Sequence, residues 1–250
     1  MSDERPIALV TGAAVRVGAA IATALADAGH RVWIHHHRSG DAALALAQTL
    51  RARNGDDAVA GVVAADLSDA DARAQLVATV LAAGRLDVLV NSAASFERGD
   101  LLARTDADLE RVLGLNLVAP IALVRGCART LAAAPSGCVV NIVDAFGRAP
   151  VPGYLDHCVA KAGLELATRA LAIELAPLRV NAVAPGTVDW PTDPRYADAK
   201  VRAGVLAQIP LGRIGTPEDV AKAVTYLVGA RHVTGHTLVV DGGRTAGSRG

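Results

Sequence analysis

The sequence predicts one α/β domain, a doubly wound parallel sheet of about seven strands with helices on both faces. Short Val/Ile/Leu-rich runs alternate with longer Ala-rich stretches of helical period along the chain. Such alternation implies parallel strands covered on both sides by helices. No internal repeat, low-complexity tract or linker divides the 250 residues, and 52% of them are hydrophobic, enough for one large core.

Taken in order, residues 7–10 read as the first strand and 19–28 as the first helix. Strand 31–35 precedes helix 41–51, strand 58–64 precedes helix 69–83, and strand 86–90 precedes one long helical stretch from 106 to 133. Strand 138–143 is followed by a helix over 160–175, and strand 180–183 by an irregular region. Thr216-Pro217-Glu218-Asp219 caps a late helix, and 237–240 is the last strand. The irregular region, 187–210, carries Pro191 and Pro194 and then a polar helix-like run. It lies beyond the C-terminal edge of the sheet, where open α/β folds bind ligands, and reads either as a substrate lid or as a surface excursion.

Twenty-five basic and 25 acidic residues cancel, which argues against a nucleic-acid or anionic-membrane surface and permits a small-molecule enzyme. Cys127, Cys138 and Cys158 are odd in number and lack CxxC spacing, so buried thiols are expected rather than disulfides or a metal site. The polar start runs straight into a strand and no apolar run is read as a membrane span, so the cytoplasm is the expected location. Aromatic residues are scarce: two Phe, two Trp and three Tyr, which leaves an aliphatic core and makes each ring worth placing.

After the first strand comes Thr11-Gly12-Ala13-Ala14-Val15-Arg16-Val17-Gly18, opening the first helix. Glycines at this point of a βαβ unit allow a tight turn and close approach to a pyrophosphate, which the helix N-terminal N–H groups would hold. The second strand ends His35-His36-His37-Arg38-Ser39. An NAD site places a carboxylate there; His36, His37, Arg38 and Ser39 suit the 2′-phosphate of NADP(H) instead. Three successive histidines do not converge on a metal, because strand side chains alternate between faces.

Further landmarks stand in order: Asp66-Leu67, Asn91-Ser92-Ala93-Ala94, Asn116, Asn141-Ile142-Val143-Asp144, Lys161, Pro185-Gly186 and Asp241-Gly242-Gly243. With Thr11, Gly12 and Gly18 they make the chain resemble the short-chain dehydrogenases/reductases over nearly its whole length, a Rossmann-type fold. The resemblance implies that Asp66 and Asn91, with Leu67, Ser92 and Ala93, frame the adenine and ribose, and that Pro185, Gly186 and Thr187 border the nicotinamide. It also implies a homotetramer built through the long helices. Four departures are similar to the pteridine reductase branch: Arg16 at a usual glycine, the His-His-His-Arg-Ser run, Ser95-Phe96, and Val143-Asp144-Ala145. In that branch Arg16 would reach pyrophosphate and pterin, and Phe96 would stack on the pterin. A surface Arg16 packed on the turn is the plainer alternative.

The family's tyrosine and lysine lie four apart on one helix face, with a serine thirteen residues before the tyrosine. Here Asp144 holds the serine position, and the spacing lands on His157, in His157-Cys158-Val159-Ala160-Lys161. The tyrosine is absent. Tyr196-Ala197-Asp198-Ala199-Lys200 matches the pattern, but in the expected lid, and reads as coincidence; Tyr154 borders the pocket seven residues before Lys161 and is a second candidate donor. Imidazole titrates near pH 6.5 in model compounds, close to working pH. A Lys161 ammonium disfavours a charged ring, and an Asp144 carboxylate favours and orients it.

The leading expectation is therefore an NADPH-dependent reductase of pteridines or dihydropteridines. Asp144 and His157 deliver the proton, Lys161 holds the ribose, Asn116 positions water behind Lys161, and Arg16, Phe96, Tyr154 and Trp190 surround the substrate. A C=N acceptor tolerates the loss of a tyrosine acid better than a ketone does. Two alternatives stay open: a carbonyl reductase for ketones or 3-oxoacyl thioesters, and an NADP(H)-binding protein whose site has decayed.

Overall fold

The structure, a computed structural model, describes residues 5–190 and 194–246. Its strands are β1 (Ile7–Val10), β2 (Arg31–His36), β3 (Val59–Ala64), β4 (Val88–Asn91), β5 (Cys138–Ile142), β6 (Arg179–Pro185) and β7 (Thr237–Val240). They form one parallel sheet in the order β3-β2-β1-β4-β5-β6-β7. The helices are α1 (Arg16–Asp27), α2 (Gly40–Asn54), α3 (Ala70–Leu81), α4 (Asp106–Leu113), α5 (Ala119–Ala133), α6 (Leu155–Glu174), α7 (Ala199–Ala207) and α8 (Pro217–Gly229).

Period-two alternation along the central strands feeds two cores. Ala8 and Val10 of β1 pack with α1, α2 and α8 through Ile21, Leu25, Leu50, Val224 and Leu227. Ile7 and Leu9 point the other way, to Leu76 and Val80 of α3 and Leu123, Val124 and Leu131 of α5. Both cores are aliphatic, and Cys127, Cys138 and Cys158 are buried free thiols. Thr216 and Asp219 form a reciprocal capping box at the head of α8, with Pro217 in its first turn.

Three elements depart from the sequence reading. The stretch 106–133 is two α-helices joined by one wide π-turn, Gly114–Val118, which carries the fully buried Asn116. By length and composition Asp106–Ala133 also suits a membrane span, contrary to the expectation that no run does; here its apolar stripe packs into the core through Leu123, Val124, Cys127 and Leu131. Helix α6 begins at Leu155, five residues earlier than its periodicity suggests, because Gly153 at φ +85° turns the chain into it. The expected lid, 187–210, has residues 191–193, with Pro191, outside the described residues; the rest holds a short 3₁₀ turn, Pro194–Ala197, and α7 capped by Asp198.

Candidate active site

The strand order reverses between β1 and β4, so their C-terminal ends open a crevice at the switch point of the sheet. Thr11 seams it at the base: its Oγ1 accepts the N–H groups of Ser92 and Ala93. Two adjoining cavities fill the crevice, one of about 480 Å³ over β1 and β2 and one of about 220 Å³ between β4, β5 and β6. Arg16 and Val17 line both.

The larger cavity is a cradle that side chains would fill. A Cβ on Gly18 would lie 2.1 Å from the Gly12 carbonyl oxygen, and one on Gly12 (φ +62°) would lie 2.9 Å from Ala93 Cα. The N-terminus of α1 has no side-chain cap and no acidic residue in its first turn, so its N–H groups remain for an anion. His37, Arg38, Ser39, Asp66 and Leu67 close the outer end, with Ser92 and Ala93 opposite. Asp66 accepts the Ser68 N–H and hydroxyl, which holds its carboxyl below the usual range, and lies 3.8 Å from His37. These residues fit a dinucleotide, pyrophosphate at the glycine turn and ribose at the His37–Ser39 end.

The histidine run separates as a strand requires. His35, which the sequence reading passed over, is buried beneath the turn: Gly12 N–H donates to its Nδ1 at 3.1 Å and its Nε2 faces the Ala65 carbonyl at 3.1 Å. Burial pushes its pKa down to about 4, so the ring is neutral with its hydrogen on Nε2. His36 does not line the cavity; its ring lies by Gly40 at the head of α2. Asn91 also lies beneath rather than in the cleft, where its Nδ2 donates to Asn141 Oδ1 and Asn141 in turn donates to Thr168.

The inner cavity gathers Asp144, His157 and Lys161 with Phe96, Pro185, Gly186 and Thr187. His157, buried on the first turn of α6, has Nε2 3.1 Å from Asp144 Oδ2 and Nδ1 3.1 Å from the Ser95 carbonyl. Nε2 thus meets a carboxylate oxygen and Nδ1 a carbonyl oxygen. Asp144 is fixed by its own loop, its Oδ1 accepting Phe146 N–H at 2.7 Å. One turn along α6, Lys161 donates to the Ile142 carbonyl at 2.7 Å. Burial lowers its pKa to about 8, partly offset by the Asp144 charge.

Asn116 makes side-chain contacts that the sequence did not indicate. Its amide accepts Ser95 N–H and donates to Ser95 O, both at 2.9 Å, and its Nδ2 lies 3.4 Å from His157 Nδ1. It therefore braces the carbonyl on which His157 rests, because the π-turn aims it at the 95–96 segment. Phe96 and His157 meet perpendicular to one another, centroids 4.8 Å apart, and Phe96 stacks on Tyr154 at 4.3 Å. Tyr154 is buried behind Phe96, outside the cavity lining, with its hydroxyl accepting from Arg195 at 2.7 Å. Trp190 is likewise not a lining residue; it packs against Tyr196, which is one. Arg16, at φ +50°, donates to the Val188 carbonyl at 3.2 Å and lies 3.9 Å from Asp189, spanning the mouth.

A switch-point dinucleotide cradle beside a buried lysine and a carboxylate–imidazole pair defines an α/β oxidoreductase. A family model described as Enoyl-(Acyl carrier protein) reductase matches residues 12–245. The chain is 38% identical over 248 residues to a 3-oxoacyl-(acyl-carrier-protein) reductase of Pseudomonas aeruginosa, covering 97% of this chain and 98% of the relative. It is 36% identical to pteridine reductase 1 of Leishmania tarentolae over 284 aligned positions, covering 97% of each. It is 37% identical over 244 residues to a 3-oxoacyl-(acyl-carrier-protein) reductase of Synechocystis, covering 95% and 96%. The chain belongs to the short-chain dehydrogenase/reductase family, whose members use a nicotinamide cofactor.

Proposed function

We propose that this protein is an NADPH-dependent reductase of a pteridine or dihydropteridine ring, with Asp144 and His157 as its proton-delivery pair. The observation that carries the reading is the 3.1 Å contact between Asp144 Oδ2 and His157 Nε2 in a cavity walled by Phe96. His157 stands where the family's tyrosine is expected and Asp144 where its serine is, and a paired carboxylate and imidazole can store and release one proton. When bound, the nicotinamide supplies the hydride that reduces a ring C=N carbon. The proton for the nitrogen comes from the Asp144–His157 pair, held by the Ser95 carbonyl that Asn116 braces. Lys161 holds the ribose, His37, Arg38 and Ser39 select the 2′-phosphate, and Phe96 offers a ring face to a planar substrate. Residues 187–210 act as a lid over this cavity.

We also assign a homotetramer. Val159, Leu166 and Ile173 recur every seven residues along α6 and are 50%, 60% and 81% exposed, an apolar stripe suited to a helix partner. Light scattering that returns a monomer overturns this.

The functional test is NADPH oxidation with dihydrobiopterin and dihydrofolate, and NADH as the cofactor control. Absence of both turnover and binding for every pterin refutes the reading. A second reading, reduction of a 3-oxoacyl thioester or ketone, is favoured by the names of the Pseudomonas and Synechocystis relatives. Ketone reduction that survives Asp144→Ala would select it.

A further inference from the structure

We propose that Tyr196, carried on the lid, is a substrate-contacting residue whose hydroxyl donates a hydrogen bond into the reaction cavity. This rests on the inner cavity being the substrate site, and not on the substrate being a pteridine.

Tyr196 sits on the Pro194–Ala197 turn, yet it lines the same cavity as Asp144, His157 and Lys161. Tyr154 does not, being sealed behind Phe96. The Tyr196 ring is held on several sides. Trp190 packs against it at 6.0 Å, the Arg195 guanidinium covers it at 4.9 Å, and its backbone carbonyl accepts from Arg202 Nε of α7. Arg195 ties this assembly to the body, since the nitrogen that donates to Tyr154 Oη at 2.7 Å also lies 3.3 Å from Tyr196 Oη.

That contact orients the phenol. A hydroxyl oxygen that accepts a guanidinium N–H keeps its own hydrogen to donate elsewhere. Arg244 donates to Thr187 Oγ1 at 3.0 Å, and Thr187 lines the same cavity as Tyr196 and Asp144. The substrate class that fits carries a hydrogen-bond acceptor, a ring nitrogen or carbonyl oxygen, in addition to the atom that takes the proton. Proton delivery stays with Asp144 and His157, and Tyr196 fixes the pose.

The test is Tyr196→Phe, which keeps the ring and removes the hydroxyl. Wild type and variant are compared on a dihydropteridine and on a 3-oxoacyl thioester, with NADPH affinity read separately from its fluorescence. Loss of one neutral hydrogen bond predicts a fall in kcat/KM of about three- to tenfold on the substrate that wild type turns over, with NADPH affinity unchanged. Unchanged kcat/KM on that substrate overturns the proposal. Turnover of the thioester alone refutes the pteridine reading and still tests Tyr196. A second measurement needs no turnover: protein labelled with 3-fluorotyrosine gives a ¹⁹F resonance for residue 196, assigned with Tyr196→Phe. NADP⁺ and Asp144→Asn should each shift it, and a resonance indifferent to both overturns the proposal.

Discussion

Asp144→Asn removes the charge from the proposed proton-delivery pair while keeping the shape of the side chain. Asp144 makes two defined contacts, Oδ1 with Phe146 N–H at 2.7 Å and Oδ2 with His157 Nε2 at 3.1 Å. An asparagine oxygen keeps the first, so the Ala145–Gly147 turn that the residue caps should survive. The second contact inverts. An amide NH₂ now faces Nε2, and the ring that fits this donor is the neutral one with its hydrogen on Nδ1, still donating to Ser95 O. The proton that the pair would deliver is gone. A hydrogen bond to a charged group contributes about 1.5–3 kcal/mol, so kcat should fall about 10- to 150-fold. The assay is single-turnover NADPH oxidation at saturating dihydropteridine, beside a fluorescence titration of NADPH and a thermal melt. The expected result is a slow enzyme with wild-type cofactor affinity and stability. A loss smaller than about threefold is below even a neutral hydrogen bond and refutes the pair as proton source. An equal loss in NADPH affinity refutes it too, because the residue would then be acting on the cofactor.

Three further outcomes follow from buried groups. The Lys161 pKa is lowered from 10.5 to about 8 by burial, so between those values the unfolded chain binds more protons and stability rises with pH, on the order of 3 kcal/mol in all. Urea unfolding at pH 7.5 and 9.5 should show about 2 kcal/mol of that gain in wild type and none in Lys161→Met; parallel shifts in both contradict it. His35 is lowered from 6.5 to about 4, also by burial, so stability present above pH 6.5 is lost as pH falls toward 4, again on the order of 3 kcal/mol. His35→Leu should flatten that acid limb and, by removing the acceptor of Gly12 N–H, weaken NADP(H) binding; an unaltered limb counts against the assignment. His157→Tyr should lower kcat by about a hundredfold or more, because a phenol cannot serve both the Ser95 carbonyl and Asp144. A gain in activity would instead mark histidine as a decayed site.

The strands were legible because Ile7-Ala8-Leu9-Val10 is apolar at every position and Val88–Asn91 and Cys138–Ile142 are apolar at all but one, as burial on both faces demands. The meeting of Asp144, His157 and Lys161 in one cavity was legible because a one-turn helical spacing from His157 to Lys161 and a fixed distance from Asp144 survive translation into space. Less visible was anything set by tertiary contact. Alternation in His35-His36-His37 says that neighbours part company, but not which of them goes beneath the glycine turn. The π-turn that aims Asn116 leaves no mark in helical periodicity, since apolar residues continue through Gly114–Val118. Tyr196 matched a catalytic motif that its helix does not provide, for it lies on a 3₁₀ turn with Lys200 exposed on α7; it reaches the cavity because Trp190 and Arg195 turn it there.

The fastening of residues 194–207 has a consequence for how the molecule comes apart. No residue of the Pro194–Ala197 turn or of α7 is buried. What fastens them is a file of rings and cations, Tyr154, Arg195, Tyr196, Trp190 and Arg202, in place of aliphatic packing. A guanidinium salt dissolves such a file by supplying free copies of one of its own components, whereas urea carries no cation to exchange. In guanidinium chloride, Trp190 fluorescence should change while far-UV circular dichroism still reports an intact sheet; in urea the two signals should move together. The cleft then has its own solvent vulnerability, distinct from that of the aliphatic fold beneath it.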